Sequence, residues 1–194
     1  MKQKLFNPFL TVAGLKALWI GLFFMGLSTW SAGIFHGRFD GVLDLHFSGE
    51  KDFLKPLLDN LLNIVSLVLV FYLLGLIFNR GKVRFVDILG TMTLARFPLV
   101  LAPAVNFNGV FDRASAAFEA SGLRLKNIEI TDGDMVLMIA MTCCLVILTV
   151  WYIFLLYKAY TVSANLKGTN AVFSFIGGLL AAEIISKILI YNLV

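Results

Sequence analysis

The chain has 194 residues, 59% of them apolar and 14% charged, with a net charge of +4 and a mean hydropathy of +0.88. Roughly 25% of an ordinary soluble domain is charged, so this balance excludes a soluble fold, a disordered chain and a collagen-like repeat. Two cysteines cannot staple a secreted module, and what remains is an all-α polytopic membrane protein.

A helix rises about 1.5 Å per residue through a hydrocarbon core about 30 Å thick, so a span needs about 20 mostly apolar residues. Five segments qualify, at 11–35, 56–78, 85–105, 135–157 and 171–193, and they form one bundle domain over 1–194. Lys2 and Lys4 ahead of the first run also suit a signal peptide. A signal core is only about 7 to 15 residues long, however, and this run is longer. On the first span Ala17, Gly21, Ser28 and Ala32 make a loose row of small residues, the kind of face through which helices approach in lipid. Lys16 reads as snorkelling to the nearer surface.

After this span, Phe39, Leu43, Leu45 and Phe47 alternate in a segment expected to cap the bundle. His36, His46, Asp40 and Asp44 lie in the same loop without the tight spacing of a metal site. The second span carries Asp59 and Asn63, and the third opens with Asp87. Arg96 lies about 16 Å into the third span, near the midplane, and Pro98 and Pro103 follow. Each proline deletes a backbone donor, which predicts a kink just beyond Arg96. Between spans three and four, Phe107, Phe111, Ala114 and Phe118 recur at helical spacing. That segment reads either as a helix in the membrane interface or as a structured loop over the bundle mouth.

Cys143 and Cys144 in the fourth span are adjacent and match neither a redox nor a zinc spacing. The fifth span repeats small residues every four positions, Ser174, Gly178, Ala182 and Ser186, which predicts a helix-packing face. Glu183 lies near its midplane, with Lys187 one turn beyond in the favourable order. Ionisable groups at membrane depth cost kilocalories each unless they pair, so a cluster of Arg96, Glu183 and Lys187 is expected, with Asp87, Asp59 and Asn63 available to extend it. This cluster reads as a buried lock on helix register, or as a relay or anion site lining a path.

Lysine and arginine in short loops resist translocation. Lys2, Lys4, Arg80, Lys82, Arg84, Lys158 and Lys167 fall on one side within about 30 loop residues, whereas Arg38, Lys51, Lys55, Arg113, Arg124 and Lys126 are spread over about 51 on the other, which also holds the loop carboxylates Asp40, Asp44, Glu50, Asp52, Asp112, Glu119, Glu129, Asp132 and Asp134. The expected topology is N-terminus in, C-terminus out. No phosphate-cradling glycine loop, nucleophile elbow or zinc-protease helix occurs, so the sequence offers no support for enzymatic activity, a cofactor, a metal or nucleic-acid binding.

Asn7-Pro8-Phe9 before the first span, Phe85-Val86-Asp87-Ile88-Leu89 opening the third, the run Ala95-Arg96-Phe97-Pro98, and Trp151 to Tyr157 followed by Lys158-Ala159-Tyr160 make the chain resemble the Yip (Ypt-interacting protein) family. The resemblance implies a non-enzymatic polytopic protein, which in eukaryotes serves membrane traffic and binds Rab-type GTPases. Eukaryotic members carry a long N-terminal region with a D-L-Y-G-P-like motif, whereas about ten residues precede the first span here. What carries over is therefore the compact bacterial form in the cytoplasmic membrane, not Rab binding. The partners expected are the lipid bilayer and a membrane protein, a second copy of the chain included. The alternative function is a small transporter or channel component built around the charged midplane site.

Overall fold

A computed structural model of the chain describes residues 6–49, 51–79, 81–120 and 130–194. Lys2, Lys4, Glu50, Arg80, Arg124, Lys126 and Glu129 lie outside the described residues. Six α-helices are present among the described residues: α1 (Gly14–Ile34), α2 (Leu54–Phe78), α3 (Phe85–Ala95), α4 (Val110–Ala120), α5 (Asp132–Ser163) and α6 (Gly168–Leu193). A two-residue hairpin, β1 (Gly37–Arg38) paired antiparallel with β2 (His46–Phe47), joins α1 to α2. Five stretches are long and apolar enough to cross a membrane: α1, α2, Phe85–Asn106, α5 and α6.

The third of these stretches is the most enclosed and α5 the least. Its α-helix stops at Ala95, and 3-10 turns at Phe97–Val100 and Pro103–Asn106 carry the chain on. The break follows from Pro98, which has no N–H to offer the preceding turn and biases Phe97 away from helical angles. The kink expected beyond Arg96 thus begins at Arg96 itself, which caps α3.

α1 lies mainly against α3, and α2 against α6. Gly21 brings the first pair together: a Cβ there would stand 2.6 Å from the Leu94 backbone nitrogen. The expected face of α6 is the one buried against α2, with Ser174, Gly178, Ala182 and Ser186 all enclosed. Between α2, α5 and α6 the core is aromatic, with Phe71, Tyr160 and Phe175 in mutual ring contact.

Three helices, α2, α5 and α6, are longer than the spans expected from the sequence, α5 by the most. α5 starts three residues before the expected span, because the Thr131 hydroxyl accepts from Asp134 N–H at 3.2 Å and Asp132 and Asp134 favour the helix's positive end. It runs on to Ser163, and the chain then turns through Asn165 and Gly168, both at positive φ. α4 is helical, and it is pinned onto the hairpin: Phe111 stacks on Phe47 at 4.8 Å, and Asp112 receives His36 Nδ1 at 2.8 Å and Asn106 Nδ2 at 3.0 Å. Arg113 adds a two-point contact to Asp134 on α5. The segment is a helix over Val110–Ala120, as the first expectation for it has it, and it also packs on the hairpin and α5, as the second has it.

Candidate functional site: a polar interior and its plug

The polar side chains at depth fall into separate groups. The central one is a hydrogen-bond chain through four helical segments. Ser28 on α1 donates to Met25 O at 2.9 Å, and Asn60 on α2 donates to Ser28 Oγ and Thr29 Oγ1 at 3.3 and 3.1 Å. Arg96 donates to Asn60 Oδ1 at 2.8 Å and to the Tyr152 hydroxyl on α5 at 3.1 Å. Its guanidinium carbon stands 5.8 Å from the Tyr152 ring centroid. Arg96 is 4% exposed and has no carboxylate within 4.0 Å among the described residues. Its positive charge is held by neutral dipoles and a ring face, contacts that strengthen where water is absent.

The second group lies at the hairpin end. Between β1 and β2 the chain dips into the bundle, burying Phe39 and Val42 to 1% exposure. Its backbone polar groups must then find partners within the protein. Asn63 on α2 donates to Phe39 O at 2.9 Å, and on α6 Ser186 Oγ accepts from Val42 N–H at 3.2 Å and Glu183 from Leu43 N–H at 2.8 Å. Gly41 lies against the Glu183 carboxylate, which an added Cβ would displace. Arg38 clamps the base of the loop, donating to both oxygens of Asp59 at 2.7 and 3.0 Å, with Asp59 fully buried. Lys187 reaches Asp44 at 2.7 Å and Glu183 at 3.5 Å.

At the rim His46 pairs with Asp40. The Asp40 hydrogen bond and charge raise the His46 imidazole above its ordinary value, outweighing partial burial. Burial pushes the Asp40 carboxyl up, but the His46 hydrogen bond and the charges of His46, Arg38 and Lys187 bring it below the usual carboxylate range. His36 and His46 serve different carboxylates, Asp112 and Asp40.

The expected cluster of Arg96 with Glu183 and Lys187 is therefore divided. Glu183 and Lys187 do pair along α6, but they meet the dipped loop, whereas Arg96 meets Asn60 and Tyr152. Asp59 and Asn63 join the loop group rather than Arg96. Asp87 joins neither group: its carboxylate is 3.8 Å from Arg84, and its backbone carbonyl accepts from Thr91 and Ser163. The physical reason is the loop, which comes down to α6 and supplies carboxylate and amide partners there.

Sequence reasoning missed Asn60, Tyr152, Ser28, Thr29 and Arg38 as members of the interior. The available signal was polar spacing: Asn60 is one residue from Asp59 and three from Asn63, too many polar side chains for a lipid-facing helix. No family model, curated protein or solved structure matches the chain.

Proposed function

We propose that the chain is a Yip-like integral membrane protein with a structural or interaction role and no enzymatic activity. In this reading it sits N-terminus in and C-terminus out in a bacterial cytoplasmic membrane. The bilayer and a membrane protein, a second copy included, are its partners. The five apolar helices are what a multi-pass protein requires. The observation that carries the structural role is that the polar groups at depth bond to one another and to the dipped loop: Asn60, Arg96 and Tyr152 tie three helical segments, while Asp59, Asn63, Glu183 and Ser186 hold the plug. Such an arrangement fixes helix register and closes the mouth.

One observation favours the transporter alternative: Arg96 keeps a buried charge without a carboxylate among the described residues, which would attract an anion if a path opened to it. Anion flux into vesicles carrying the chain, with and without Arg96→Leu, separates the two readings. A lock predicts flux no greater than in protein-free vesicles. It also predicts a lower unfolding midpoint for the variant, since the Asn60 oxygen and the Tyr152 hydroxyl each lose a buried partner at about 1 to 3 kcal/mol. Flux by the native chain that Arg96→Leu abolishes without altering the midpoint would make it a transporter.

A further inference from the structure

Beside the N-terminal segment, the exposed side of α5 carries a groove of about 610 Å³ lined by Phe6, Ile147, Val150, Trp151 and Phe154. The Phe6 ring meets the Phe154 ring edge-on at 6.2 Å, so the groove has walls from two parts of the chain. One turn further along α5, the Lys158 ammonium sits 5.2 Å from the Phe154 centroid and 5.8 Å from that of Tyr157. No carboxylate lies within 4.0 Å of it among the described residues. Lys82, Arg84 and Lys167 stand in the turns at this same end of the bundle.

Lengths select the occupant. From Ile147 to Lys158 is about 16 Å along the helix axis, close to half of a hydrocarbon core about 30 Å thick. An apolar slot lined from Ile147 to Phe154, with a cation one turn beyond it that has no counter-ion among the described residues, spans about one leaflet with that cation and matches one molecule in both parts: an acyl chain joined to a negatively charged headgroup. Lys158 suits the second part, because a lysine near a span end extends its ammonium toward the headgroup layer. We propose that this groove is a binding site for an anionic phospholipid, with an acyl chain along Ile147, Val150, Trp151 and Phe154 and the headgroup phosphate on Lys158.

The proposal rests on α5 being a membrane span, but not on which way the chain points. Trp151 reports on the groove directly once Trp19 and Trp30 are changed to phenylalanine. In phosphatidylcholine vesicles, brominated phosphatidylglycerol is expected to quench Trp151 at about five-fold lower mole fraction than brominated phosphatidylcholine of the same acyl chains, the preference one lysine at an anionic surface supplies. Lys158→Gln should bring the two lipids level while leaving quenching by the phosphatidylcholine in place. Equal quenching in the native background, or a preference that survives Lys158→Gln, would overturn the site. A second variant keeping only Trp19, which is 70% exposed on α1, checks the membrane reading separately. Quenching of Trp19 without quenching of Trp151 refutes the groove alone, and quenching of neither refutes the span as well.

Discussion

Replacing Arg38 by alanine is expected to destabilise the protein by about 3 to 5 kcal/mol, because it strands a fully buried Asp59 carboxylate without its cation. Against a typical total of about 5 to 15 kcal/mol, that is a large fraction of the folded state's margin. The geometry also orders the related variants. Arg38→Lys keeps the charge but cannot reproduce the two parallel bonds to Asp59, so it should fall between alanine and the native residue. Arg38→Ala combined with Asp59→Asn removes the stranded charge and should recover much of the loss. Reversible unfolding in mixed micelles reads all three. If Arg38→Ala unfolds like the native chain, the clamp contributes nothing and the loop is held by other contacts.

Gly21→Ala should cost about 3 kcal/mol, near the upper end for an overpacked core. The added carbon would lie 2.6 Å from the Leu94 nitrogen and 2.8 Å from the Thr93 carbonyl carbon, and backbone cannot rotate away as a side chain can. Relief requires α1 and α3 to separate, and the hydrogen-bond chain from Ser28 and Thr29 through Asn60 to Arg96, which ties the same two elements, would be strained with them. Gly178→Ala makes a useful contrast. Its new carbon would meet the ends of Leu74 and Phe71 at 2.5 and 2.9 Å, and these side chains can shift, so the loss should be smaller. Gly26→Ala meets nothing within 4 Å and should be neutral or gain up to about 1 kcal/mol from helix propensity. The same unfolding measurement checks the order Gly21, Gly178, Gly26.

The helices were legible in the sequence because lipid as solvent imposes one simple rule, a run of apolar residues long enough to cross, and all five runs obey it. Small-residue rows were legible for a related reason: backbone approach needs short side chains whatever the partner helix, and the row on α6 is buried against α2. Helix ends were less so. The start of α5 depends on a hydroxyl cap at Thr131 and its end on positive-φ residues at Asn165 and Gly168, none of which registers in hydropathy. The partners of Arg96 were illegible because charge pairing directs attention to Glu183, whereas a guanidinium at depth can also be satisfied by an amide oxygen and a phenol. The dip of residues 39–45 is a tertiary event. Its alternating pattern suits a surface strand equally well, and only the positions of Asn63, Ser186 and Glu183 on neighbouring helices explain why the loop goes inward.

Five crossings that place the plugged mouth and the turn before α3 on opposite faces, with the mouth outside, form the claim on which the functional reading rests. In a chain with Cys143→Ala and Cys144→Ala, single cysteines introduced as Ser115→Cys on α4 and Lys82→Cys in that turn, both exposed positions, can be reacted in intact cells with a membrane-impermeant maleimide. The account predicts labelling of the Ser115→Cys chain at once and of the Lys82→Cys chain only after the membrane is opened. Labelling of both in intact cells, or of Lys82→Cys alone, would contradict it.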